Sequence, residues 1–314
     1  MRTGKRILIA VDGSRHAFDA VTYVARQRWA ASLEVRLLFI LPMGREEVFW
    51  QVPMNEEFMQ QMKERYDHWL MESRREAEGF LEHCRDVLVG AGFSRDRVGL
   101  SLCNWKEGIA RDIVSEASRG YDGVVVGRRG LGKVESVLLG SVSEKIVQRV
   151  QDVPIWIVGG DIRSSRMLLA VDASENARKA VQYAAPLLAA NGAEVALCHV
   201  VRGFLPTLGP TPFQSGEELE GLLLENLKQK VASMFETYRE CLEKAGVEAQ
   251  RIGNICRIGS LSRAADILNI AREEGYGTII MGRRGISVVR EFLMGRVTSK
   301  VLNGAEGLTI WIVP

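Results

Sequence analysis

Short apolar runs alternate with amphipathic stretches along the chain, and this alternation predicts strands and helices in turn. In the first half, the apolar runs that we predict to be strands are residues 6–11, 33–41, 98–103, 122–127 and 154–158. Apolar residues at helical spacing predict helices after Arg15, from Glu56 to about Val89, over 106–119 and from Ser141 to about Val150. Such alternation is typical of a mainly parallel sheet with right-handed crossovers and helices on both faces.

The second half of the chain repeats the first. Ala10-Val11-Asp12 recurs 160 residues later as Ala170-Val171-Asp172, and Gly127 recurs 155 residues later as Gly282. A length of 314 residues also favours two domains of about 150 residues each. We therefore predict two tandem doubly wound α/β domains, residues 1–160 and 161–314, each with a five-stranded mainly parallel sheet.

A glycine motif follows the fourth predicted strand of each half. In the first half it is G-x-x-G, nine residues and G-S, formed by Gly127, Gly130 and Gly140-Ser141. Glycines let the backbone turn sharply and approach a ligand without a Cβ in the way. Ordinary turn glycines are the alternative interpretation. A second copy with the same spacing, at Gly282, Gly285 and Gly295, argues against that alternative.

The end of the glycine motif predicts a helix start. Ser141-Val142-Ser143-Glu144 has the S-x-x-E pattern of a capping box, which places the start at Gly140-Ser141. The unpaired N–H groups and the positive dipole end of a helix N-terminus favour phosphate. The motif therefore indicates a phosphate site at the edge of the sheet where its strands end.

Charged residues beside these turns have two interpretations each. Asp12 is an acceptor suited to ribose hydroxyls, or it serves only in the N-cap of the following helix together with Ser14. Arg128 and Arg129 either add positive charge beside a phosphate or lie on the solvated surface. Lys133 is either a phosphate contact or a surface lysine.

Three features together resemble one protein family. An A-V-D-x-S turn after the first strand, G-x-x-G-x9-G-[S/T] after the fourth and a closing P-[IV]-x-[IV]-V strand resemble the universal stress protein family in its tandem form. The resemblance covers nearly the whole chain. It implies an adenine nucleotide alpha hydrolase-like fold, and ATP with Mg²⁺ as the ligand where the glycine motif is kept.

The resemblance also implies which residues bind the nucleotide. In the first half they are Ala10, Val11, Asp12, Ile40, Gly127, Arg129, Gly130, Gly140, Ser141, Val142 and Ser143. In the second half they are Ala170, Val171, Asp172, Val200, Gly282, Arg284, Gly285, Gly295, Arg296, Val297 and Thr298.

The second copy departs from the first where Arg296 stands in place of Ser141. Arginine has no hydroxyl, and its charge either holds phosphate or occupies the site itself. The acid of the capping box is also absent from this copy. We therefore expect one strong nucleotide site per chain, in the first half.

The closing strands carry an expectation about assembly. Members of the family pair these strands across a two-fold axis, so the resemblance implies that the two halves meet as an internal pseudo-dimer. Trp156 and Trp311 would then lie near that axis. The alternative is that each tryptophan packs only inside its own half. A homo-oligomer of whole chains is a further assembly that we consider.

Composition narrows the class of protein. The net charge of +2 gives no sign of a nucleic-acid partner, and no apolar segment approaches the length of a membrane span. Five widely spaced cysteines without a C-x-x-C pair fit reduced thiols in the core of a cytoplasmic protein. We expect neither a nucleic-acid nor a membrane partner.

Three functions are compatible with these patterns. The first is an ATP-binding stress-response regulatory protein that is not an enzyme. A slow ATPase is the second, although the G-x-x-x-x-G-K-[ST] motif is absent and the four histidines lie outside the motifs. A scaffold without nucleotide is the third. The loops at 42–55 and 203–216 are candidates for closing over the sites.

Overall fold

The computed structural model describes residues 4–41, 56–130, 139–202, 215–285 and 294–314. The predicted loop at 42–55, Lys133 and residues 203–214 of the other predicted loop lie outside these ranges.

The described residues form a regular alternation of strands and helices in both halves. The elements of the first half are β1 (Lys5–Val11), α1 (Arg15–Arg26), β2 (Leu33–Leu41), α2 (Glu56–Gly90), β3 (Val98–Asn104), α3 (Ile109–Ala117), β4 (Gly123–Gly127), α4 (Ser141–Arg149) and β5 (Ile155–Val158). Those of the second half are β6 (Met167–Ala170), α5 (Glu175–Asn191), β7 (Val195–Arg202), α6 (Ser215–Lys244), β8 (Ile252–Ser260), α7 (Arg263–Glu273), β9 (Thr278–Gly282), α8 (Arg296–Gly304) and β10 (Thr309–Val313).

All ten strands join one sheet, in the order β3-β2-β1-β4-β5-β10-β9-β6-β7-β8. Pairing is parallel inside each half and antiparallel between β5 and β10. Each half therefore has the order 3-2-1-4-5, which confirms two tandem doubly wound α/β domains. The chain order reverses between β1 and β4 in the first half. This is the place where open α/β sheets bind ligands.

Helices cover both faces of the sheet, so the central strands are apolar on both sides. Along β1, Ile7 and Ile9 pack with α1 and α2, while Leu8 packs with α3 and α4 on the other face. In the second half α5 and α6 continue the first layer, and α7 and α8 continue the second. The two helix layers thus run across both domains.

One predicted helix starts later than its sequence pattern suggests. We expected a helix over 106–119, but α3 begins at Ile109. The Asp112 carboxylate accepts hydrogen bonds from the backbone N–H groups of Lys106, at 2.7 Å, and Glu107, at 3.2 Å. Gly108 precedes the helix with φ +131°, a conformation that favours glycine. The segment before Ile109 is therefore a turn held by the helix's own first acid.

The prediction that the five cysteines are core thiols holds for only some of them. Cys84 and Cys198 are buried, as expected for core thiols, but Cys103 and Cys256 are exposed. Cys103 lies on β3 and Cys256 on β8, which are the two outer strands of the sheet that the described residues form. Among the described helices, none combines the length and apolar character needed to span a membrane.

Candidate functional site

A cavity of about 590 Å³ lies where β1 and β4 end. Its walls come from the ends of β1, β2 and β4, from α2 and α3, and from the first turn of α4. The residues predicted for the first site that line it are Ala10, Val11, Asp12, Ile40, Gly127, Arg129, Gly130, Ser141, Val142 and Ser143. Gly140 is the remaining predicted residue, and it is the N-cap of α4 behind this wall.

The turn after β1 supports the cap of α1, and its aspartate also borders the cavity. Asp12 Oδ1 accepts a hydrogen bond from the backbone N–H of Ser14 at 3.0 Å. Ser14 is the N-cap of α1, and its Oγ accepts from the backbone N–H of Ala17 at 3.1 Å. Asp12 thus supports the cap while its side chain borders the cavity.

Two glycines of the motif are in close contact with other parts of the fold. Gly127, Gly130 and Gly140 are not among the glycines with positive φ, so none needs a left-handed conformation. A Cβ on Gly127 would lie 2.5 Å from the carbonyl oxygen of His16, at the start of α1. A Cβ on Gly130 would collide with Asp12 Oδ2. The backbone of α1 therefore excludes a larger residue at Gly127, whereas at Gly130 the obstacle is the end of the Asp12 side chain.

The start of α4 is observed where we predicted it, but the capping box is wrong. Gly140 is the N-cap, and no side-chain hydrogen bond caps the helix. The Gly140 N–H donates to the carbonyl of Arg128 at 2.9 Å, which fixes Gly140 in an extended conformation and makes Ser141 the first helical residue. The Ser141 side chain is consequently left at the cavity wall. The first N–H groups of such a helix have no acceptor within the helix.

Ser143 and Thr298 hold helix to strand in the two halves. Ser143 is buried, and its Oγ donates to the carbonyl of Gly127 at 2.8 Å. Thr298 Oγ1 donates to the carbonyl of Gly282 at 3.0 Å. These hydroxyls connect the first helical turn to the strand end of the same motif. At both positions the group that remains available to a ligand is the backbone N–H.

Arg128 and Arg129 point in different directions. Arg129 lines the cavity and lies 3.5 Å from Glu306 of the second half. Arg128 is only 2% exposed, and its Nη2 donates to the carbonyl of Asn303 at 2.8 Å. The interpretation of Arg128 as a phosphate neighbour or a surface residue is therefore wrong, because the side chain is buried at the junction between the halves.

Sequence reasoning missed much of the apolar wall. We predicted α2 only as a helix, and its Ala77 and Phe80 line the cavity together with Ser73 and Glu76. The available signal was the helical spacing from Ala77 to Leu81, Cys84 and Leu88, all buried. The missed residues from strands and α3 are Leu38, Phe39, Leu41, Ile109, Ile113 and Val126.

The second half contains a smaller cavity of about 260 Å³ at the equivalent place. Every residue predicted for the second site lines it, namely Ala170, Val171, Asp172, Val200, Gly282, Arg284, Gly285, Gly295, Arg296, Val297 and Thr298. A Cβ on Gly285 would lie 2.6 Å from Asp172 Oδ2, as at the matching pair of the first site. The two motifs thus have the same construction.

The second cavity also has basic residues that the motifs do not include. His199 and Arg263 line it beside Arg284 and Arg296. His199 Nδ1 lies 2.7 Å from the carbonyl oxygen of Val171, which can only accept, so this nitrogen carries the proton. His199 stands 160 residues after Phe39, and comparing the repeats position by position was the signal that could have found it.

The sequence profile of the universal stress protein family matches residues 103–159 and 164–313, which is more than half of the chain. The chain belongs to the universal stress protein family. Both halves take part in the match, which agrees with the tandem form implied by the motifs.

Other universal stress proteins are similar over long stretches. One from Mycolicibacterium smegmatis is 25% identical over 307 residues, covering 95% of this chain and 94% of that protein. Universal stress protein YxiE of Bacillus subtilis is 32% identical over 150 residues, covering 44% of this chain and 90% of YxiE. The crystal structure of a universal stress protein from Archaeoglobus fulgidus aligns with 98% of this chain and 97% of its own, with a TM-score of 0.60 and 20% identity. The last similarity shows a shared fold.

Proposed function

We propose that this universal stress protein binds ATP with Mg²⁺ in the first cavity and acts as a regulatory protein, without catalysing a reaction. The observation that carries the proposal is the convergence of three features on one cavity. These are the Asp12 carboxylate, the first turn of α4 and an apolar wall. A volume of about 590 Å³ falls within the usual range of about 300–1,000 Å³ for small-molecule sites.

The chemistry of the lining fits the parts of a nucleotide. The apolar side chains at the ends of β2 and β4 and on α3 suit an adenine ring. Asp12 is an acceptor for ribose hydroxyls. The backbone N–H groups that begin α4, the Ser141 hydroxyl and the guanidinium of Arg129 suit phosphate oxygens. Mg²⁺ usually keeps several waters and binds the phosphates of a nucleotide, so it would accompany the phosphates of ATP.

The second cavity is less suited to ATP. It has under half the volume of the first, 260 Å³ against 590 Å³. Where the first site has Phe39 and Ser141, the second has His199 and Arg296. We therefore propose one strong ATP site per chain.

Absence of catalysis and a cytoplasmic location complete the proposal. A slow ATPase is the alternative, and it requires a base or water positioner beside the terminal phosphate. All five cysteines are free, which supports a reducing compartment.

Equilibrium titration of the full chain with ATP, AMP and GTP tests the proposal. Ser141→Ala removes a charge-assisted hydrogen bond worth about 1.5–3 kcal/mol, hence about tenfold or more in ATP affinity. Ser118→Ala, at the C-terminal end of α3, is the matched control and should bind as the wild type. Absence of ATP binding by the wild type would refute the proposal. Steady release of phosphate from bound ATP would favour the ATPase.

A further inference from the structure

Two buried arginines cross the junction between the domains in opposite directions. Arg128 of the first glycine motif is 2% exposed, and Arg283 of the second is 5% exposed. Arg283 Nη1 donates to the carbonyl of Val150 at 2.7 Å, and its Nη2 donates to that of Val147. Arg128 Nη2 donates to the carbonyl of Asn303 at 2.8 Å. Each guanidinium therefore binds main-chain oxygens of the opposite domain.

The carbonyls that they bind lie at helix C-termini. Val147 and Val150 are at the end of α4, and Asn303 is at the end of α8. The last carbonyls of a helix lack partners within it and carry the negative end of the helix dipole, so a cation stabilises them. Burial lowers the pKa of both guanidinium groups, and the adjacent Arg129 and Arg284 lower it further. Both remain charged, because arginine does not lose its proton in proteins.

The backbone carbonyls of the same two arginines bind the N-termini of α4 and α8. The carbonyl of Arg128 accepts from the N–H of Gly140, the N-cap of α4, at 2.9 Å. The carbonyl of Arg283 accepts from the N–H of Gly295, the N-cap of α8, also at 2.9 Å. The bonds form a closed cycle. It runs from Arg128 through α4 to Arg283, and from there through α8 back to Arg128.

This cycle connects the two cavities. The first turn of α4 lines the first cavity, and the first turn of α8 lines the second. Each helix has nine residues and spans about 13–14 Å. Its first turn borders one cavity, and its last carbonyls bind the arginine of the opposite domain's glycine motif. The hydrogen bonds at the end of α4 lead to Arg283, which directly precedes Arg284 in the wall of the second cavity.

We propose that Arg128 and Arg283 are positioning residues, each for the anion site of the opposite domain, and that they couple the two sites. Occupancy of the first cavity fixes α4, and through Arg283 it orders the motif at Gly282 to Gly285. Such coupling is reciprocal by thermodynamic linkage. The inference rests on the proposed function for the identity of the ligand, but its structural part concerns the ligand-free chain.

Hydrogen exchange of the ligand-free full chain tests the structural part. Arg283→Met keeps a side chain of similar length without the charge, and we expect faster exchange over residues 141–150 in the other domain. Arg128→Met should do the same over residues 296–305. Tyr23→Phe is the control, because it removes a different bond across the junction, Tyr23 Oη to Thr278 Oγ1 at 2.9 Å. It should accelerate neither helix.

ATP titration tests the coupling. Arg283→Met should weaken ATP at the first cavity about fivefold or more, although the residue belongs to the second domain. In the wild type, ATP should protect residues 296–305 from exchange, and Arg283→Met should reduce that protection, while the bond from Arg128 to Asn303 remains. The variants Arg283→Lys and Arg128→Lys carry the same test if either methionine variant does not fold. Lysine keeps the charge but cannot form the bidentate hydrogen bonds of a guanidinium group, so we expect smaller changes in exchange and in ATP affinity than with methionine.

Two results would overturn the proposal. One is faster exchange confined to the domain that carries the substitution. The other is an effect of Tyr23→Phe equal to that of the arginine variants, which would reduce the arginines to general junction contacts. Failure of the wild type to bind ATP would refute the proposed function alone, because the exchange pattern of the ligand-free variants would still test the positioning role.

Discussion

The indole rings of Trp156 and Trp311 stack across the centre of the sheet, with centroids 4.0 Å apart and an angle of 4° between the planes. The two residues face each other in the antiparallel pair of β5 and β10. Both rings are fully buried. The prediction that the halves pair through their closing strands is confirmed, and the alternative that each tryptophan packs only in its own half is wrong.

Trp29 is the third member of this cluster, and we predict that it matters for the junction. Its ring lies 5.2 Å from that of Trp156 and 5.5 Å from that of Trp311, and its Nε1 donates to the carbonyl of Leu187 at 2.8 Å. Trp29→Ala should lower the free energy of unfolding by about 3–5 kcal/mol, because it leaves a cavity between the domains. Chemical denaturation followed by fluorescence and circular dichroism measures the loss.

The half-exposed Trp69 provides the control for this experiment. Trp69→Ala should change the free energy of unfolding by no more than about 0.5 kcal/mol, as is usual for surface positions. Equal effects of the two substitutions would contradict a special role of Trp29. Trp29 could not be selected from the sequence, because it lies in the connection after α1 and outside every repeated motif.

The fold was predictable because local signals agree with one another. The apolar runs, the repeat and the closing strands such as Ile155–Val158 all require the same layered architecture. The walls of the site built from strand ends were predictable for the same reason, since parallel strands end at a common edge. The contribution of α2 was predictable only in part, because the helical spacing from Ala77 to Leu88 marks the buried side of the helix but not the cavity that it borders.

Side-chain direction was a second limit on prediction. Arg128 and Arg129 are adjacent and identical in type, yet one crosses the junction and the other lines the cavity. Nothing in the local sequence separates them, since the difference depends on the position of α8 in the other half. The capping box failed for a similar reason. A backbone contact from Gly140 to Arg128 sets the start of α4 one residue away from the register that the box requires.

We predict that Asp12 and Gly130 are energetically coupled. Gly130→Ala should destabilise the ligand-free protein, because the new Cβ collides with Asp12 Oδ2. Asp12→Ala in the same chain removes the colliding oxygen and should recover much of the loss. A double-mutant cycle on the free energy of unfolding measures the coupling, which we expect at about 0.5–3 kcal/mol, the range for residues in contact. Additive effects would show that the close approach has no energetic consequence.

Thiol reactivity should follow the exposure of the cysteines. Burial raises the pKa of both Cys84 and Cys198 to about 12, so at pH 8 these thiols are protonated and unreactive. Cys103 is exposed on the outer strand β3. Alkylation with iodoacetamide at pH 8, followed by peptide mass spectrometry, should label Cys103 well before Cys84 or Cys198. Labelling of the buried pair at the rate of Cys103 would indicate that the core opens readily.

We predict that the first residue of α4 and of α8 accounts for part of the difference in ATP affinity between the two sites. Ser141 and Arg296 occupy the first position of α4 and α8, and both border a cavity. We expect wild-type protein to bind one ATP tightly per chain. Ser141→Arg should weaken that site about tenfold or more, because it removes the charge-assisted hydroxyl contact. Arg296→Ser should strengthen ATP binding at the second site, but this site should remain weaker than the first, because its cavity is smaller and His199 remains in its wall.

Calorimetric titration of both variants measures affinity and stoichiometry, with Ser118→Arg as the control for an added surface charge. Two equal tight sites in the wild type would show that the guanidinium of Arg296 replaces the serine contact fully.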